Sequence, residues 1–249
     1  MKQPIHIQIL SLFMLFMLYT VPVSAQINLG IETGSTFTGY NDVRIPGNTG
    51  TFFSLSEELK ADPSFFVRIR LTWDINDRHH LSLLYAPLSI SSKGNLARDL
   101  VFDDGMFPSG TMLKAKYRFN SYRLTYRYDF VRREKLEAGI GFTAKIRDAA
   151  ILVRDDQTKA EKTNVGFVPI IHLRLLWNFH SKAGLLVEGD ALAAPQGRAE
   201  DILAALVWKA TDRIDLKLGY RILEGGADND EVYNFALIHY LSLGASLAF

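Results

Sequence analysis

The 249-residue sequence has no cysteine, so disulfides and thiolate metal or redox centres are excluded. Beyond the N-terminal region, no stretch approaches the about 20 consecutive apolar residues that a helical membrane span needs. Charge of either sign is not in surplus. Lys and Arg total 28 against 27 Asp and Glu, a formal balance of +1, which gives no reason to expect nucleic acid as a partner. Residues suited to catalysis are also scarce. Of six histidines, His6 lies in the N-terminal segment, His79, His80 and His180 fall at short polar links, and only His172 and His239 lie inside long patterned segments. There is no phosphate-cradling glycine loop: Gly225-Gly226 reads as a turn, and Gly139-x-Gly141 lies within a strand pattern. The acidic pairs Asp103-Asp104 and Asp155-Asp156 and the run Asp228-Asn229-Asp230 lack the spacing of a calcium loop. No metal and no cofactor is expected.

What is present begins with an export signal. Lys2 precedes an apolar run from Ile7 to Val21, and Val23-Ser24-Ala25 has the small-x-small form of a cleavage site. Residues 1–25 therefore read as a cleaved signal peptide and 26–249 as one domain. Cleavage removes Lys2, takes the balance from +1 to 0, and leaves about 224 residues, enough for one domain.

That domain alternates with period two over unusually long segments. In 65–75, Phe65, Val67, Ile69, Leu71 and Trp73 oppose Phe66, Arg68, Arg70, Thr72 and Asp74, and similar segments recur to the C-terminus. Soluble sandwich strands are typically five or six residues long, whereas these run to ten or more, which suits a lipid-facing exterior around a polar lumen. Short polar links at 76–78, 132–134, 180–182 and 211–213 serve as tight turns. With both termini on the same side, these turns predict an all-β, transmembrane, antiparallel up-and-down barrel of about ten strands, with eight or twelve as alternatives. The strands fall near 27–37, 64–75, 79–91, 111–131, 135–149, 163–178, 182–193, 200–210, 213–224 and 231–249. The external connections are expected at 38–63, 92–110, 150–162, 194–199 and 225–230; Thr51–Lys60 reads either as a short helix or as an extension of the second strand. The fourth strand shows a change of apolar phase near Asn120-Ser121, read here as a bulge.

Inward parity predicts a lumen lined by Arg68, Arg70, Lys116, Arg118, Arg123, Arg127, Glu137, Lys145, His172, Arg174, Glu188, Lys217 and Arg221, richer in bases than in acids. Val168, Ile170, Leu176, Leu186, Leu203, Val207 and Ile238 share that parity, as a packed plug or the lining of a small apolar pocket. Trp73, Trp177 and Trp208, the chain's three tryptophans, each precede a turn by three residues on the outward parity. They are expected to form an aromatic girdle at headgroup depth.

The signal segment, the alternating strands and the closing LSLGASLAF with terminal Phe249 resemble the outer-membrane β-barrel proteins of bacteria. In that superfamily a terminal aromatic serves as the assembly signal. The resemblance implies the bacterial outer membrane, with lipids, lipopolysaccharide and the barrel-assembly machinery as partners to a monomer. Ten strands are similar to the omptin proteases, which use acidic residues and a histidine at the outer rim. Here the rim acids, among them Asp42, Glu57, Glu58, Asp103 and Asp228, have no rim histidine to partner them. Lipid A deacylases pair a histidine with a serine near the outer lipid surface; His239 has lipid-facing parity, but Ser242 points inward. The function expected is a structural or interaction barrel with a narrow, basic-rich lumen and no catalytic residues assigned. The alternatives are a small channel or transporter for anionic solutes and a lipid A-modifying enzyme.

Overall fold

The computed structural model describes residues 26–195 and 197–249; the expected signal peptide lies outside them. The strands are β1 (Gln26–Arg44), β2 (Phe53–Ser54), β3 (Ser64–Asp74), β4 (His79–Ala86), β5 (Ser89–Asn95), β6 (Leu100–Phe102), β7 (Gly105–Phe107), β8 (Met112–Arg133), β9 (Leu136–Arg154), β10 (Lys159–His180), β11 (Ala183–Ala194), β12 (Gly197–Lys209), β13 (Ile214–Asp228) and β14 (Tyr233–Ala248). Neighbours in the wall pair antiparallel from β14 back to β8, then through β4 and β3 to β1, and β1 pairs β14 to close the cylinder. β4 and β5 pair successive stretches of β8, so they act as one wall strand interrupted at Pro87-Leu88, where proline has no N–H for the ladder. The wall therefore has ten positions.

Closure leaves no free sheet edge in the lipid layer, where an unpaired backbone group would cost several kcal/mol (order of magnitude). The alternation then sorts side chains by solvent. Ile69, Leu173, Leu218, Tyr220 and Leu243 are all exposed on the outside, a surface suited to hydrocarbon. Trp73, Trp177 and Trp208 lie half-exposed on that exterior near the turn ends of their strands.

The structure corrects the reading of the fourth strand. β8 pairs β9 without interruption from Lys114↔Arg154 to Asp129↔Gly139, so there is no bulge near Asn120-Ser121; the register shift comes between Asp129 and Val131. Odd residues of β8 face inward along that stretch. Leu113, Ala115 and Tyr117 are buried inside, and Lys114, Lys116 and Arg118 are outside. The polarity inverts because the environment does: above the lipid layer, water bathes the exterior and an apolar plug fills the interior. Lys116 and Arg118 are thus not lumen residues.

The plug is built by the outer loops. Residues 51–60 form neither a helix nor an extension of the second strand; Phe53–Ser54 pairs with β1 and is followed by turns. The β6–β7 hairpin, which the pattern did not reveal, docks against this segment through Thr51 N–H to Val101 C=O and Asp103 N–H to Ile45 C=O, both 2.9 Å. Phe53 meets Phe102 edge-on at 6.0 Å, and Leu59, Leu100 and Phe107 are fully buried beside them. Arg98 clasps Glu58 at 2.7 Å, and this hydrogen bond is the main cause that holds the Glu58 carboxyl below its ordinary range. β1, β9 and β10 run further outward than expected and, with β8, form the tall wall against which the loops pack.

Candidate functional site

Midway down the lumen, inward side chains from eight wall strands converge on one ion-paired cluster. Asp201 of β12 receives Arg68 of β3 at 3.0 Å, Arg123 of β8 at 2.5 Å and Arg221 of β13 at 2.5 Å. Arg123 also reaches Asp190 of β11 at 2.6 Å, and Arg221 forks onto Glu32 of β1 with two 2.8 Å bonds. Asp190 in turn accepts from Thr143 at 2.8 Å and lies 2.9 Å from Nδ1 of His172. Arg68, Arg123, His172, Asp190, Asp201 and Arg221 are all buried. Guanidinium forks suit this role, because each satisfies two carboxylates in fixed geometry.

Below this layer Glu188 lies between Arg70 at 3.1 Å and Arg174 at 3.7 Å, with Glu137 on the far side of Arg174 at 3.0 Å; Lys217 is half-buried nearby. Nearer the short turns, His80 is held between Asp74 at 2.6 Å and Asp129 at 2.9 Å, and Arg127 pairs Asp129 at 2.7 Å. Leu176, Leu186, Leu203, Ala205 and Val207 form a separate apolar cluster. Of the other inward apolar residues, Ile238 belongs to the outer plug and Val168 lines a cavity.

Asp201 and Glu32 were missed in the sequence, although each carried a signal. Asp201 is in phase with Leu203 and Val207, and Glu32 is in phase with Gly30 and Gly34, so parity alone placed both inside. Counted together with the inward Asp74, Asp129 and Asp190, and with Lys116 and Arg118 outside, these acids bring the interior close to charge balance rather than leaving it rich in bases.

Above the cluster a cavity of about 340 Å³ opens outward. One side is basic, with Lys145 and Arg147 of β9 and Lys162 of β10; the other is apolar, with Leu192, Leu223, Ala236 and Ile238. Lys162 is 3.4 Å from Asp103 in the β6–β7 turn. Lys145 is 3% exposed, and its Nζ lies 4.8 Å from the centre of the Phe119 ring.

The exterior carries two further groupings. His239 hydrogen-bonds Tyr220 at 2.5 Å through Nδ1, and Tyr40 hydrogen-bonds Glu224, which Arg198 forks at 2.7 and 2.8 Å. Higher on the wall, Lys93, Lys114, Arg154 and Lys159 sit directly opposite one another across β5, β8, β9 and β10, all exposed. Among the described residues, no group of His, Cys, Asp and Glu is arranged to hold a metal ion.

No family model matches the sequence, and no curated protein matches it either. Solved structures do. The outer-membrane protease OmpT of Escherichia coli aligns over 90% of this chain and 97% of its own, with a TM-score of 0.59 and 9% identity. An outer-membrane channel of Pseudomonas putida F1 aligns over 92% and 97% at a TM-score of 0.44 and 11% identity. Ail of Yersinia pestis, solved with a heparin analogue, aligns over 90% and 99% at a TM-score of 0.41 and 9% identity. At these identities the OmpT match speaks to the fold, a closed barrel of the outer-membrane kind.

Proposed function

We propose that this chain, with its outer-membrane β-barrel fold and an apolar belt suited to lipid, sits in the bacterial outer membrane as a sealed structural and interaction barrel that works at its outer mouth. The observation that carries this reading is the buried cluster around Asp201, which occupies the lumen at mid-depth with paired charges. A water-filled pathway would have to separate several of those pairs at once. Breaking one buried pair typically costs about 3–5 kcal/mol. The test is conductance: purified protein in planar bilayers is expected to give no discrete current steps. Regular steps abolished by Arg70→Ala or Arg174→Ala would replace this reading with that of an anion channel.

The exterior supports a lipid partner. Like charges directly opposite on neighbouring strands destabilise a sheet, yet four cations share one row across β5, β8, β9 and β10. On β8 the row lies eight residues beyond Tyr122, the last outward aromatic before Asn120, or roughly 20 Å above the hydrocarbon edge for tilted strands. That height matches the phosphorylated saccharide of lipopolysaccharide in the same leaflet. Changing Lys93, Lys114, Arg154 and Lys159 together to Gln is expected to abolish the rise in unfolding temperature that added lipopolysaccharide produces. An undiminished rise in the variant would remove this partner. In this reading Phe249, exposed at the end of the closing strand, serves as the assembly signal.

A further inference from the structure

We propose that the outer cavity is a binding site for a small amphipathic anion, its acid group held between Lys145 and Arg147 and its apolar body lying against Leu192, Leu223 and Ile238. Two cations in the cavity wall lack the partners that the rest of the interior provides. Lys145 is buried, yet no carboxylate of the described residues lies within ion-pair distance of it; its contact is the face of Phe119. By contrast, the buried Arg68, Arg123 and Arg221 each have a carboxylate partner. Arg147 spends one nitrogen on the amide oxygen of Asn164, and its Nε is buried with no hydrogen-bond partner.

Both residues line the cavity from the same face of β9. Being two apart, their Cα atoms are separated by roughly 7 Å, so one anionic group can bridge the two side chains. A buried, unpaired charge is costly, and an anion delivered to it removes much of that cost. The nearby acids Asp190 and Asp201 do not serve, because Arg123 engages both.

The remaining walls define the rest of the ligand. Opposite the cations the surface is largely aliphatic, with the polar Asn229, Glu231 and Asn234 also in the lining, and the 340 Å³ volume is at the small end of ligand cavities. It suits a single-headed carboxylate, sulfonate or phosphate ester on a compact apolar or aromatic body, and it is too small for an oligosaccharide.

Fluorine NMR of protein folded in amphipol, which supplies no micelle to absorb the probe, tests the site. The probes are para-(trifluoromethyl)benzoate and its neutral counterpart, para-(trifluoromethyl)benzyl alcohol. The benzoate is expected to bind about tenfold or more tightly than the alcohol, reflecting charge-assisted hydrogen bonds. Lys145→Met is expected to erase that preference, and Ile238→Trp, which fills the cavity from its apolar side, to abolish binding of both. Equal affinity of the two probes would overturn the proposal. So would an unchanged preference in folded Lys145→Met, or benzoate binding retained by Ile238→Trp. Should Lys145→Met fail to fold, Arg147→Gln, at a less buried position, is read by the same criterion. A barrel that conducts but still selects the benzoate would overturn the sealed-lumen reading and leave this site standing.

Discussion

Asp201→Ala is expected to destabilise the folded barrel by about 3–5 kcal/mol, the range for removing one partner from a buried ionic cluster. Three guanidinium groups meet at this carboxylate, and they are not equally provided for when it goes. Arg123 keeps Asp190 and Arg221 keeps Glu32, but buried Arg68 has no second carboxylate within ion-pair distance, since Glu32, opposite it on β1, is already forked by Arg221. The dominant cost is therefore the stranded charge of Arg68, not the loss of attraction in itself. Two comparisons isolate it. Asp201→Asn, which keeps an oxygen acceptor and the packing volume, is expected to fall between Asp201→Ala and the parent. Arg68→Met combined with Asp201→Ala removes the stranded cation and is expected to recover much of the loss. Chemical unfolding of the refolded protein, followed by tryptophan fluorescence, measures the order. If Asp201→Ala unfolds with the parent, the cluster is not what holds the lumen shut, and the proposed function loses its main support.

Gly34→Val is expected to prevent the cylinder from closing. Gly34 pairs with Ser242 across the seam of β1 and β14, the contact on which closure depends. Its φ is +147°, in a region that side chains rarely adopt, and an added Cβ would lie 1.9 Å from the carbonyl oxygen of Leu241 and 3.3 Å from the Phe66 ring. Backbone strain of that kind costs about 1–3 kcal/mol. The displaced carbonyl would also give up pairing in the seam, where lipid offers no substitute hydrogen bond. Gly30, four residues earlier on the same strand, is the control. A Cβ there meets nothing nearer than 3.7 Å, so Gly30→Ala is expected to change stability by less than about 1 kcal/mol. The shift in electrophoretic mobility between heated and unheated samples reports closure. A compact, heat-sensitive band from Gly34→Val would show that the seam tolerates a side chain there.

The wall was legible because a β-strand has a period of two and a membrane barrel has two unlike solvents. Wherever hydrocarbon lay outside and charge inside, as from Val67 to Trp73 or Leu241 to Leu247, polarity named the face of every residue. The same rule failed in the outer part of β8, where Leu113, Ala115 and Tyr117 keep the inward parity of Arg123 but face a plug instead of a polar lumen. Parity along the chain was the surer guide there, and it would have placed Lys116 and Arg118 correctly had the outer loops been known to fold inward.

The amino-acid sequence determined by itself that this is an up-and-down cylinder of about ten strands with a greasy belt, through alternation, turn spacing and the lack of any long apolar run in the body of the chain; the closed structure settled the number at ten. Which charges meet inside was decided only by the closed tertiary structure. Strand tilt and register bring Asp201, Arg68, Arg123 and Arg221 together from positions far apart in the chain, and they leave Lys145 and Arg147 without carboxylates. Such pairings depend on distances across the lumen, which no local period in the sequence records.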